Sequence, residues 1–199
     1  MKVLVAGATG KTGLRVVREL AEQGHEPIAM VRESSDTSEL PRGVAQRTQD
    51  LTNLSDDACD GCDAVIFAAG SGSSTGPEMT DKIDRDGAID LVDVAKQAGV
   101  QRFVMLSSVG ADNPQQAGED MAHYLQAKHD ADEYLMGSGL DYAILRPVAL
   151  TERDGRRDVR LGDDVDPGAE AARGDVAALL ARAVTDPALS GKAVLMQSC

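Results

Sequence analysis

A glycine-spaced turn, Gly7-Ala8-Thr9-Gly10-Lys11-Thr12-Gly13, separates the apolar run Lys2 to Ala6 from the helically spaced Leu14, Val17, Leu20 and Ala21. Glycines three apart between a strand and a helix permit a tight turn. Lacking Cβ atoms, they also let a phosphate reach the free N–H groups at the helix start. The pattern predicts a pyrophosphate cradle formed by Gly7, Gly10 and Gly13, with Thr9, Lys11 and Thr12 lining it. Gly10-Lys11-Thr12 also mimics the end of a P-loop, but that motif needs a glycine five places before Gly10, where Val5 stands.

The second group of chemical interest is Tyr124-Leu125-Gln126-Ala127-Lys128, which places a phenol and an ammonium at i and i+4 on one helical face. Ala131 and Leu135 extend that stripe, so both polar heads are expected along the inward side. An ammonium about 4 Å from the phenol favours phenolate by on the order of 4 kcal/mol at an effective dielectric near 20. That lowers a phenol pKa of ~10 by up to about three, toward working pH. Tyr124 then exchanges a proton with a substrate alcohol or carbonyl, and Ser108, closing the preceding strand, hydrogen-bonds the same oxygen.

Cofactor choice is read at the end of the second strand, Val31-Arg32-Glu33. Arg32 can pair with a ribose 2′-phosphate and stack on adenine, and Thr9 and Lys11 can add to that pocket. Glu33 is the competing feature, because an acid at this place binds the 2′-hydroxyl of NAD. NADP is the expected cofactor, with NAD the alternative.

Other reactive side chains have plainer readings. Cys59 and Cys62 form a lone CxxC that runs into the strand Ala64 to Ala69, which suits a turn better than a zinc or redox site. His25, His123 and His129 have no ligand set around them, and Asp175 reads as a helix cap. Asp163-Asp164-Val165-Asp166 lacks the pattern of a calcium loop and reads as solvated.

The elements needed to position these groups alternate along the chain. Strands are expected at Lys2 to Ala6, Pro27 to Val31, Ala45 to Thr48, Ala64 to Ala69, Arg102 to Leu106, Tyr142 to Arg146 and Lys192 to Met196. Helices are expected after Gly13, from Ile83 to Ala98, from Met121 to Met136 and from Asp175 to Val184. This rhythm predicts an α/β fold, a doubly wound parallel sheet of the Rossmann type in a single domain over residues 1–199. Irregular stretches are expected at Ser71 to Pro77, Gly110 to Gly118 and Thr151 to Ala172, with 148–172 forming the substrate side.

Composition narrows the partners. Among 199 residues, 33 acidic side chains against 20 Lys plus Arg give a formal net charge of −13, which disfavours nucleic acid and anionic membrane surfaces. No apolar run approaches the ~18 residues that span a bilayer, and the start has no signal-peptide layout, so the expected location is the cytoplasm. A helix face leaves room for a homodimer. If the acidic surface is an adaptation to salt, the melting temperature rises as KCl is brought to molar concentration; a flat or falling curve contradicts it.

Together these residues resemble the short-chain dehydrogenase/reductase superfamily, in particular its small atypical NAD(P)-binding members. The likeness spans nearly the whole chain: Gly7, Gly10 and Gly13; Asp50-Leu51-Thr52; Ala68-Ala69-Gly70; Ser107-Ser108; Tyr124 and Lys128; and Leu145-Arg146-Pro147. The resemblance implies that Asp50 and Leu51 flank adenine and that Ala68, Ala69 and Gly70 line the ribose. It also implies that Pro147 and Val148 border the nicotinamide, that Ser107 contacts the cofactor, and that Lys128 binds the nicotinamide-ribose hydroxyls. The chain departs from the pattern in carrying Asp84-Arg85-Asp86-Gly87 where many relatives have Asn-x-x-Gly, and Val148 where glycine is usual. Only a short stretch follows Pro147, so a small substrate is implied rather than a nucleotide-sugar. Three functions follow: an NAD(P)-dependent oxidoreductase or related epimerase, a cofactor sensor like the NmrA-type regulators, or a flavin or quinone reductase.

Overall fold

The computed structural model describes residues 1–72 and 75–199, and positions 73 and 74 of the Ser71 to Pro77 stretch lie outside the described residues. Among the described residues, ten strands and five α-helices follow one another from β1 (Lys2–Ala6) to β10 (Lys192–Ser198). In chain order come α1 (Gly13–Glu22), β2 (Glu26–Val31), β3 (Ala45–Thr48), β4 (Ala64–Phe67), α2 (Pro77–Thr80) and α3 (Gly87–Gln97). Then come β5 (Arg102–Leu106), α4 (Glu119–Gly137), β6 (Tyr142–Pro147), β7 (Ala149–Thr151), β8 (Val159–Leu161), β9 (Glu170–Ala172) and α5 (Arg173–Ala183).

The main sheet has eight strands in the order β3-β2-β1-β4-β5-β6-β10-β8. Every pairing in it is parallel except β10 with β8. Parallel neighbours need crossovers, and the crossovers cover both faces, so successive residues of β1 feed two different cores. Val3 and Val5 pack with Val16, Val17 and Leu20 of α1 and Leu180 of α5. Leu4 and Ala6 pack on the other side with Leu91 and Val92 of α3 and Leu135 of α4. This is the doubly wound Rossmann architecture that the alternating elements predict. No helix among the described residues is long and apolar enough to cross a membrane.

The chain winds β1 to β3 outward in one direction and then returns to place β4 on the other side of β1. The carboxyl ends of β1 and β4 therefore border the crevice where the strand order reverses, the place in such sheets where ligands sit. Gly7, Arg32, Ala68, Ser107 and Pro147 all stand at carboxyl ends of parallel strands.

Several boundaries differ from expectation for identifiable reasons. Strand β4 stops at Phe67 rather than Ala69, because the chain there leaves the ladder to press against Gly7. The helix expected from Ile83 begins at Pro77, whose missing N–H suits a first helical turn, and passes through a π-type segment at Asp81–Asp86 before α3. The stretch from Thr151 to Ala172, expected to be irregular, contains β8 and ends in β9, which pairs in parallel with β7. Asp175 does not cap α5: it lies inside the first turn, where its carboxylate accepts from the Arg157 amide at 2.7 Å and the Ser198 hydroxyl at 2.6 Å.

Cys59 and Cys62 are free, buried thiols in a turn closed by Cys62 N–H to the Cys59 carbonyl at 3.1 Å. Burial, with the neighbouring thiol, pushes Cys59 up to about 12, so it is no nucleophile at neutral pH. Arg47 staples this turn by donating to the carbonyls of Ala58 and Asp60.

Candidate functional site

The glycine turn is built by close approach. A Cβ on Gly13 would sit 2.1 Å from the Gly7 carbonyl oxygen, and one on Gly7 would sit 2.6 Å from Ala69 Cα. Gly7 also needs its φ of +80°. The Gly10 amide closes the turn on the Gly7 carbonyl at 2.9 Å. Among the described residues, the amides of Lys11, Thr12 and Gly13 donate to no backbone or side-chain acceptor, which leaves them at the α1 N-terminus for an anion.

Gly13→Ala is therefore expected to lower stability by about 3 kcal/mol and to abolish dinucleotide binding. Gly24→Ala, with φ +79° but open space around its added Cβ, is the control, and it costs about 1 kcal/mol. Chemical denaturation and a nicotinamide-fluorescence titration on both variants check this.

The side chains of the turn are already engaged. Lys11 pairs with Glu152 at 2.9 Å, both well exposed, so the contact is weak enough for a competing phosphate to displace it. Thr12 is buried and its hydroxyl accepts from Arg173 at 2.8 Å, while Arg173 also reaches Glu152 at 3.2 Å. Arg15 donates to the carbonyls of Lys11 and Glu152. A strap from Thr151 to Arg157 thus lies over the start of α1, and sequence reasoning missed Glu152 and Arg173 entirely. Thr9 is exposed.

On the adenine side, Arg32 is exposed and its guanidinium has no hydrogen-bond acceptor among the described residues. Asp50 accepts from the Thr52 amide at 2.9 Å and hydroxyl at 2.8 Å. Those bonds, with the charge of Arg32, hold its carboxyl below the usual range. Leu51 is buried and touches Gly87, where an added Cβ would lie 3.0 Å from it. Ala68 and Ala69 face Gly7 across the crevice, and Gly70 leads to Ser71. Val148 is buried in the α1–α5 core with its amide donating to Met196, and Pro147 is buried at the end of β6.

The centre of the site is a line of polar side chains on α4. Tyr124 is half-buried, while Lys128 and Asp132, four and eight residues on, are buried. The Lys128 ammonium donates to the Leu106 carbonyl at 3.0 Å, stands 3.4 Å from Asp84 Oδ1 and lies 5.6 Å from the Phe67 ring centre. Burial works against its charge, but Tyr124, Asp84 and Asp132 outweigh burial and hold it above the usual lysine range. Asp132 accepts from the Ser107 hydroxyl at 2.7 Å and from Arg146 Nε at 3.0 Å. Burial raises the Asp132 carboxyl against the pull of Ser107, Arg146 and Lys128.

Ser107 therefore points its hydroxyl into the protein, and the adjacent Ser108 makes only a 3.3 Å contact with the Val109 carbonyl, free to turn to a ligand. Sequence reading found Tyr124 and Lys128 but not Asp84 and Asp132 as their charged neighbours. The four-residue spacing from Lys128 to Asp132 was the signal available. Of the histidines, His123 pairs with Asp81 at 3.1 Å, and His129 Nδ1 lies 2.8 Å from the Ala111 carbonyl. A cavity of about 600 Å³ at the end of β10 is lined by Arg153, Arg156, Asp175 and Ser198, and by neither Tyr124 nor Lys128.

Comparison with known proteins identifies the family and the fold. The model of the NAD(P)H-binding family matches residues 7–187. The uncharacterized sugar epimerase YhfK of Bacillus subtilis is 38% identical over 175 residues, which cover 84% of this chain and 81% of that protein. The UPF0659 protein YMR090W of Saccharomyces cerevisiae is 34% identical over 75% of this chain and 70% of its own length. Among solved structures, a Bacillus halodurans protein provisionally assigned as an NAD-dependent epimerase/dehydratase is 38% identical with a TM-score of 0.94, covering 100% of this chain and 94% of that one. The oxidoreductase ylbE of Lactococcus lactis is 29% identical with a TM-score of 0.88, covering 100% of this chain and 91% of that one.

Proposed function

The chain belongs to the NAD(P)H-binding family, and from that premise we propose that it is an oxidoreductase of the short-chain dehydrogenase/reductase type. Its substrate is a small carbonyl or alcohol, its preferred cofactor is NADP, and Tyr124 is its acid–base. The observation that supports this most is the buried Lys128 ammonium beside the half-buried Tyr124 phenol. A protein that only senses its cofactor needs no proton donor.

The glycine turn fits the cofactor: three undonated amides at a helix start, with small residues facing them, suit a pyrophosphate. When bound, the dinucleotide supplies or accepts hydride. The chain's own residues do the rest. Lys11 to Gly13 bind phosphate, and Arg32 meets the 2′-phosphate. Ala68 to Gly70, Pro147 and Val148 form the walls. Ser108 orients the substrate oxygen, and Tyr124 moves the proton.

The names of the relatives favour one neighbouring reading, an epimerase, in which the same groups oxidise and then reduce one carbon with no net consumption of cofactor.

Arg32 makes cofactor choice testable. In fluorescence titrations NADPH is expected to bind about tenfold tighter than NADH, and Arg32→Ser is expected to remove most of that preference, a change of about 1.4 kcal/mol. Tighter binding of NADH by the unaltered protein overturns the NADP assignment and leaves Glu33 as the ribose ligand.

A further inference from the structure

The buried charges around Lys128 carry an inference beyond proton transfer by Tyr124. Asp84 sits on the π-type segment facing α4 and is 1% exposed. One of its oxygens accepts from the Ser71 amide at 2.9 Å; the other faces Lys128 Nζ at 3.4 Å and has no hydrogen-bond partner among the described residues. A buried carboxylate so placed opposes the lysine's charge at close range and offsets part of the field it projects toward a third group.

Of the other charged groups on elements packed around α4, Asp90 and Lys96 of α3 are exposed, and the rest have partners. Asp132, on α4 itself, also acts on Lys128 but is bonded to Arg146 of β6. Asp81, on the facing segment, pairs with Arg85 and His123, and Arg85 also pairs with Asp86. Glu78 of α2 pairs with Lys82, and Asp93 of α3 accepts from Tyr134. The Pro114–Gln116 turn has no titratable side chain. The balance between Lys128 and Asp84 therefore bears on the neighbouring Tyr124.

We propose that Asp84 is a positioning residue that matches the charge of Lys128, keeps Tyr124 a proton donor, and so sets the site to reduce carbonyls near neutral pH. This rests on the oxidoreductase reading above. In that direction the carbonyl carbon takes a hydride from the reduced dinucleotide and the π pair moves onto oxygen. Tyr124 Oη gives that oxygen its proton, and the phenolate regains one from solvent. The reverse reaction needs the phenolate as base.

The test is an ultraviolet phenolate titration of the cofactor-free protein, each variant measured with and without Tyr124→Phe so that Tyr134 and Tyr142 subtract out. Asp84→Asn, which keeps an oxygen for the Ser71 amide, is expected to move the Tyr124 midpoint down by about one pH unit or more. The doubly substituted Asp84→Asn/Lys128→Met, which has no charge left to match, is expected to return it to within about half a unit of the unaltered protein. An unmoved midpoint in Asp84→Asn overturns the proposal; so does a double variant that titrates well away from the unaltered protein. If Asp84→Asn alone does not fold, Lys128→Met takes its place: its unopposed Asp84 carboxylate is expected to move the Tyr124 midpoint up, and an unmoved midpoint overturns the proposal. Because the titration needs no turnover, a protein that reduces no carbonyl yet shows these midpoints sinks the oxidoreductase reading while the charge matching stands. Normal turnover with unmoved midpoints sinks the charge matching alone.

Discussion

Lys128→Met is expected to cost about 3–5 kcal/mol of unfolding free energy, because it leaves the Asp84 carboxylate buried without its partner. The loss is far beyond that of an exposed pair such as Lys11–Glu152, where removing either side chain is expected to cost less than about 1 kcal/mol. Methionine fills most of the lysine's volume and keeps packing against Phe67, so the penalty measures charge rather than cavity. Equilibrium urea denaturation checks it, with Asp84→Asn/Lys128→Met as the companion: removing both charges is expected to recover more than half the loss. A single substitution that costs under 1 kcal/mol would show that the pair is solvated and that the polar line on α4 does not hold the site in shape.

The second large effect is on rate. Tyr124→Phe removes one oxygen from a half-buried ring and is expected to lower carbonyl reduction by about 10²–10⁴-fold, the range for loss of a positioned general acid. Dissociation constants for NADPH and NADH are expected to stay within about twofold, because the phenol belongs to the substrate side. Separate measurement of kcat and cofactor affinity divides the readings. If turnover survives Tyr124→Phe, substrate is reduced by stacking on the nicotinamide, as in a flavin or quinone reductase. If neither protein turns over any carbonyl or alcohol with either nicotinamide, the chain acts as a cofactor sensor.

Local patterns were legible in the sequence. The glycine turn could be read because strand, turn and helix are contiguous there, and the Gly7–Ala69 and Gly7–Gly13 contacts follow from residues that only glycine satisfies. Tyr124 and Lys128 were legible because a helix brings i and i+4 to one face. What the sequence hid was contact across the sheet. Arg173 reaches Thr12 over a separation of 161 residues, and Asp84 meets Lys128 only because one segment of the chain packs on α4. Ser107 shows the same limit: the resemblance implies a cofactor contact, while its hydroxyl donates inward to Asp132 on α4. Strands β7, β8 and β9 escaped notice because each is three residues long, too short for an alternating pattern to rise above loop composition.

A crystal structure of the complex with NADPH would test the central assignment most directly. The pyrophosphate oxygens are expected within about 3 Å of the amides of Lys11, Thr12 and Gly13, with the Tyr124 hydroxyl facing the reactive carbon of the nicotinamide ring. A dinucleotide bound instead among Arg153, Arg156 and Ser198, or a nicotinamide ring beyond the phenol's reach, would contradict it.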